Sequence, residues 1–173
     1  MNGAVLLIPF LLIRFVLPAF VNKSALSRAA HFAPMRGGER AAYWVYQISN
    51  AAIFIYLFFL TINADPPFRF YLGLALYLAG LCLCCVSIVN FSYPSDNGMN
   101  MNGIYRFSRN PMYVSYFVCF IGAAALTGSL ILFGIALIFQ ISAHWIVLAE
   151  ERECIDKFGA EYEHYMKRVR RYI

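Results

Sequence analysis

The side chains of this chain with the types and spacing for chemistry gather in its second half. Arg109-Asn110-Pro111-Met112-Tyr113 reads as a helix start, because Asn can cap free amides, Pro is favoured at the first helical position, and the residue before Pro avoids helical dihedrals. Such a start presents unpaired amides that attract a carboxylate. At the far end of the apolar stretch that follows stands the pair Glu150-Glu151. His144 precedes Glu151 by seven residues and shares a face with it on a continuous helix, where it would grip a polar acceptor or simply hydrogen-bond inside a bundle. Upstream, Asn90 leads into the polar run Asn97-Gly98-Met99-Asn100 and then into Gly103-Ile104-Tyr105-Arg106. These groups are suited to binding and orienting, and none is an obvious general base. A plainer account makes Arg106 and Arg109 interfacial anchors, Tyr105 and Tyr113 interfacial aromatics, and the two glutamates the first solvated residues after a span. That account leaves the clustering unexplained.

Other chemistries find little support. The five cysteines, Cys82, Cys84, Cys85, Cys119 and Cys154, are odd in number and four lie in apolar runs, so they do not form a disulfide framework. Cys82, Cys84 and Cys85 fan around a helix with no His or carboxylate nearby in sequence, and no metal site is expected. No G-x-G-x-x-G fingerprint of a dinucleotide-binding domain occurs, and no nucleic-acid signature is present. All nine acidic residues fall outside the apolar runs, which weighs against a proton-coupled pump. Only Arg14 and His144 bring potential charge into a span.

The elements that must position these residues are membrane helices. The composition is 61% hydrophobic and 13% charged, which suits a bilayer rather than a water-exposed surface. With about 20 apolar residues per crossing, the sequence predicts an all-α, polytopic membrane helical bundle. Its single domain, residues 1–173, would have about five spans, at 4–21, 41–62, 70–91, 112–126 and 130–148. The last two come from one uncharged stretch of 40 residues, divided by Thr127-Gly128-Ser129. The first run lacks a preceding Lys or Arg and reads as a retained span. Twelve basic residues fall in the segments after spans one, three and five, against Arg69 alone on the other side, which predicts an external N-terminus and a cytoplasmic C-terminus. Topology and anionic lipid headgroups thus account for the net charge of +5. After the last span Ile155, Phe158, Tyr162, Tyr165, Val169 and Tyr172 form an apolar stripe, predicting an amphipathic helix on the cytoplasmic membrane face with a bend at Gly159.

Taken in order, Gly103-Ile104-Tyr105-Arg106, Arg109 to Tyr113, an apolar hairpin, Glu150-Glu151, and Phe158-Gly159 with Glu161-Tyr162, Tyr165 and Val169-Arg170-Arg171 resemble the isoprenylcysteine carboxyl methyltransferase and phospholipid methyltransferase superfamily. The resemblance covers about residues 90–173. It implies a membrane enzyme holding S-adenosyl-L-methionine in a pocket built by the C-terminal spans and loops. It also implies a lipid-embedded or amphipathic methyl acceptor, with membrane lipids as the other partners and neither metal nor nucleic acid.

Carried over by position, Tyr105, Asn110, Pro111, Met112, Tyr113 and Glu150 match cofactor-contacting places, with Glu151 beside them; Asn90, Asn97, Gly98, Met99 and Asn100 match weaker contacts. Arg109 and His144 are the candidate acceptor-binding residues. The family often has His where this chain has Asn110, and His-x-Leu-Val where it has Asn97-Gly98-Met99-Asn100. Lacking an evident base, the site is expected to favour a carboxylate acceptor, or a thiolate formed without enzymatic help, over an amine that must first lose a proton. A phospholipid amine, a small thiol, a sterol-type reductase using a nicotinamide cofactor, and a non-enzymatic scaffold or transporter stay open as alternatives.

Overall fold

The computed structural model describes every residue except Ala30, Asp96, Asn97 and Ile173, and leaves aside the side chains of Lys23 and Ser24. The described residues form helices α1 (Gly3–Val21), α2 (Lys23–Ala29), α3 (Glu39–Leu57), α4 (Pro67–Ser92), α5 (Pro111–Thr127), α6 (Leu130–Phe158) and α7 (Ala160–Arg168), with a 3-10 turn at Gly103–Arg106. Three of them, α1, α4 and α6, are long and apolar enough to cross a membrane; α5 is a shorter apolar helix.

Proline shapes α1. It opens as a 3-10 turn at Gly3–Leu6 and widens to a π turn at Leu12–Val16. Pro18 has no amide to donate to the carbonyl of Arg14 four residues back, and the wider turn accommodates that missing bond. The second expected span, 41–62, is shorter as a helix. It ends at Leu57, and the residues after it pair with the chain start, Gly3 N donating to Leu60 O at 2.8 Å and Ile62 N to Met1 O at 2.8 Å.

Helices α4 and α5 approach closely because small residues line their seam. A Cβ on Gly80 would lie 2.6 Å from Cys119 N, and one on Gly122 would lie 2.4 Å from Tyr77 N. In lipid, where apolar burial gives little drive for association, such backbone proximity supplies the packing energy. The turn between α5 and α6 uses Gly128 in the left-handed region (φ 66°), and Ser129 Oγ caps α6 by accepting from Leu132 N at 3.1 Å. Phe139, Ile53, Leu132 and Ile146 are fully buried between α3, α5 and α6.

The apolar stripe of the tail finds its partner within the protein. Gly159 (φ 55°) breaks the helix, and α7 folds back so that Tyr162 and Tyr165 are buried against Met99, with Ile155, Phe158 and Val169 around them. The apolar stripe therefore covers protein. Two polar contacts that lipid tails cannot offer hold it there: Tyr165 Oη donates to Tyr105 O at 2.6 Å, and the Tyr172 hydroxyl meets His144 Nδ1 at 3.0 Å.

Candidate functional site

The 3-10 turn, the start of α5 and the C-terminal third of α6 bring the candidate residues to one end of the bundle. The 3-10 turn is fixed by Asn90, whose Oδ1 accepts from Ile104 N at 2.8 Å. That turn buries Tyr105, whose hydroxyl has no hydrogen-bond partner; Asn100 Oδ1, also buried, has none either. Burial raises the Tyr105 phenol above its ordinary range, so it stays protonated and able to donate at neutral pH.

At the start of α5, Pro111 occupies the first helical position as its sequence implies. Asn110 stands at the cap position, yet its side chain does not cap the helix. Its Nδ2 donates instead to Arg171 O at 3.1 Å, so the helix start keeps its amides without a side-chain acceptor. One turn in, Tyr113 Oη donates to Glu150 Oε1 at 2.7 Å, joining α5 to α6.

Glu151, next along, belongs to a different construction. Its carboxylate accepts from Arg109 Nη2 at 2.7 Å and from Arg171 Nη2 at 2.8 Å, and it is buried. Arg109 Nη1 also donates to the carbonyls of Met166 (2.9 Å) and Val169 (2.7 Å). The pairing with Glu151 holds the Arg171 guanidinium in its charged form, above its ordinary range. The expected cofactor residue Glu151 and the expected acceptor residue Arg109 thus spend their strongest bonds on each other and on the tail.

A cavity of about 320 Å³ opens between these elements. Of the residues singled out from the sequence, Gly98, Met99, Asn100, Tyr105, Arg109, Asn110, Met112, Tyr113, Glu150 and Glu151 line it. Asn90 and Pro111 stand behind the wall as braces, and His144 lies outside the lining, held by Tyr172. Asn97 lies outside the described residues. A second chamber of about 210 Å³ shares Tyr113, Glu150, Met112 and five further residues with the first and extends toward α1.

Several lining residues had no signal in the sequence. Arg28 donates to Phe91 O at 3.1 Å, and His31 Nε2 lies 3.0 Å from Glu153 Oε1, a contact across 122 positions. Glu153, Cys154 and Lys157 were findable, because they follow Glu150 at the three-, four- and seven-residue spacing of one helical face. Among the described residues no cluster of His, Cys, Asp or Glu is arranged to hold a metal ion.

A family model for phospholipid methyltransferases matches residues 68–161, more than half of the chain. The chain belongs to the phospholipid methyltransferase family. Its apolar helices agree with that placement among membrane methyltransferases. It is also similar to methanethiol S-methyltransferase 1 of Bradyrhizobium diazoefficiens, 38% identical over 66 residues, which are 38% of this chain and 22% of that protein. The chain thus matches about a fifth of its curated relative's length. No solved structure gives a significant match. The methyltransferase family match begins in α4, so α1, α2 and α3 lie outside it, together with Arg14, Arg28 and His31.

Proposed function

We propose that this protein is an integral membrane methyltransferase that uses S-adenosyl-L-methionine and transfers its methyl group to an amphipathic or small acceptor, in the manner of the isoprenylcysteine carboxyl methyltransferases. The observation that carries the reading is the 2.7 Å Tyr113–Glu150 bond on the wall of a cavity also lined by Tyr105 and Asn100, whose buried Oη and Oδ1 have no hydrogen-bond partner. Buried polar groups without partners are uncommon and point to a ligand or water. The cavity falls at the small end of volumes usual for small-molecule sites.

When bound, the donor supplies a sulfonium methyl group already activated for in-line transfer. The protein's own task is alignment and exclusion of water rather than general-base catalysis. Glu150 accepts hydrogen bonds from the donor's amino or ribose groups, and the α5 amides at Met112 and Tyr113 receive its carboxylate or adenine. Tyr105 and Tyr113 wall the pocket, while Gly98, Met99 and Asn100 close it from the polar segment. Glu151 and Arg109 hold the tail that forms its far side.

In this reading α3 and α5 also cross the bilayer, making five spans, and the basic residues at the site end put it in the cytosol with the C-terminus. The site has no evident base, which favours an acceptor that is already ionised. The likeness to a methanethiol S-methyltransferase supports a thiol beside the carboxylate.

The test is thermal unfolding of the purified chain in nanodiscs with S-adenosylhomocysteine or NADPH, since a ligand of the folded state raises its apparent stability. Stabilisation by the first alone supports methyl transfer; stabilisation by NADPH alone supports a reductase; neither leaves a scaffold. If Glu150→Gln and Tyr113→Ala both bind S-adenosylhomocysteine as tightly as the unsubstituted chain in a calorimetric titration, the donor site lies elsewhere.

A further inference from the structure

The second chamber has five lining residues that the first lacks: Arg14, Ala29, Phe32, Tyr46 and Tyr116. Four of these are apolar or aromatic, and the fifth is a guanidinium inside the apolar helix α1. A charge at that depth is costly to keep and normally has a partner. Arg14 has little of one. Its Nη2 donates to Ala29 O at a long 3.5 Å, its guanidinium carbon sits 4.9 Å from the Tyr116 ring centroid, and among the described residues no carboxylate pairs with it.

The other charges around the chamber are on the part it shares with the first cavity and are engaged there. Glu150 takes the Tyr113 hydroxyl, Glu153 meets His31, and Arg28 bonds the Phe91 carbonyl. Arg14 lies within the π turn at Leu12–Val16, the wider turn that accommodates the bond Pro18 cannot donate.

From this we infer that the second chamber is the acceptor subsite, and that Arg14 anchors the anionic group of a small apolar acceptor, a thiolate or a carboxylate. The inference rests on the proposed methyl-donor site in the adjoining cavity and deepens it by naming the acceptor's charge. An ammonium acceptor would meet the guanidinium unfavourably, while Glu150 and Glu153, the carboxylates on the shared wall, are already bonded to Tyr113 and His31. For a thiol, the aromatic wall of Phe32, Tyr46 and Tyr116 disfavours the thiolate, and Arg14 offsets that cost. For a carboxylate, the planar fork of the guanidinium fits both oxygens.

The anion's sulfur or oxygen attacks the sulfonium methyl carbon, forming the new S–CH3 or O–CH3 bond. The old carbon–sulfur bond breaks, and its electron pair stays on the donor sulfur. A thiol's proton has already left to water. Anion and sulfonium become two neutral products, a change favoured in a site of low polarity.

The experiment uses the full chain in nanodiscs, saturated with S-adenosylhomocysteine so that nothing turns over, and probes it with 1-hexanethiol, hexanoate and hexylamine. Thermal stabilisation by the thiol or the carboxylate is expected in the unsubstituted chain and in Arg14→Lys, and its loss in Arg14→Met. With S-adenosylmethionine present, kcat/KM for the same anion is expected to fall about 30-fold or more in Arg14→Met. If the acceptor is the thiol, the acid limb of its pH profile moves upward as well. Whichever of the two anions is methylated identifies the source of the charge. Preference for hexylamine, or anion binding indifferent to Arg14→Met while S-adenosylhomocysteine still stabilises every variant, overturns this proposal alone. Absence of S-adenosylhomocysteine stabilisation in the unsubstituted chain removes the donor site and this proposal with it.

Discussion

Glu150 and Glu151 are adjacent in the chain and serve different surroundings. Glu151 is buried between the guanidinium groups of Arg109 and Arg171, while Glu150 has a single phenol partner, Tyr113, and borders both cavities. A helix turns about 100° per residue, so Glu151 reaches the clamp that ties down the tail at the edge of the first cavity, while Glu150 stands on the wall common to both cavities. Identical residue types at consecutive positions thus divide between a carboxylate neutralised by two guanidinium groups and one left with a single phenol partner beside both cavities. What separates them is the number of cations each meets, and that is set by where the tail returns.

The sharpest way to break this contrast is to remove Glu151. Glu151→Leu leaves two guanidinium groups facing each other in a largely buried place, and a loss of about 3–5 kcal/mol is expected, read as a lower thermal midpoint with or without ligand. If stability is unchanged, the clamp is not structural.

Glu150→Gln should do the opposite: little change in the midpoint of the free protein, but about tenfold or greater weakening of S-adenosylhomocysteine in calorimetry, the usual cost of losing a hydrogen bond to a charged group. A variant that unfolds without losing affinity would reverse the assignment of the two carboxylates.

The smallest effect belongs to the next residue along. Arg152 holds Glu39 through a bidentate pair, with Nη2 at 2.7 Å, and pins the start of α3. The Arg152 and Arg36 contacts lower the Glu39 carboxyl from its usual 4.5 to about 2. Its stabilising contribution is therefore fully present above the unfolded value and is lost as pH falls through the folded one. Thermal midpoints measured from about pH 6 down to about pH 3 should decline less steeply in Glu39→Gln. An unchanged slope would show that this pair contributes nothing.

Much of this was legible in the chain itself. Apolar run length implied the helices, Gly128 and Ser129 the turn between α5 and α6, and Pro111 the start of α5, because length, a left-handed glycine and a missing amide act locally. What the tail's apolar stripe packs against was not legible, for a physical reason. An apolar stripe states that one face must be covered, and lipid or protein satisfies that equally, so periodicity could not foresee that Met99 and the Tyr105 carbonyl would receive it. The capping role expected of Asn110 failed likewise, since Arg171 O lay within reach as a competing partner.

Read alone, the residues make the protein helical, suited to a membrane, and supplied with Tyr113 and Glu150 at the borders of two apolar runs. Packing of distant segments settles that those two meet at 2.7 Å, that Glu151 is spent on Arg109 and Arg171, and that Arg14 and His31 come from the first forty residues to the second cavity. Composition and spacing fix what short stretches of chain must do. Contacts across 37, 42 or 122 positions depend on which distant groups can pair, and no local pattern encodes that choice.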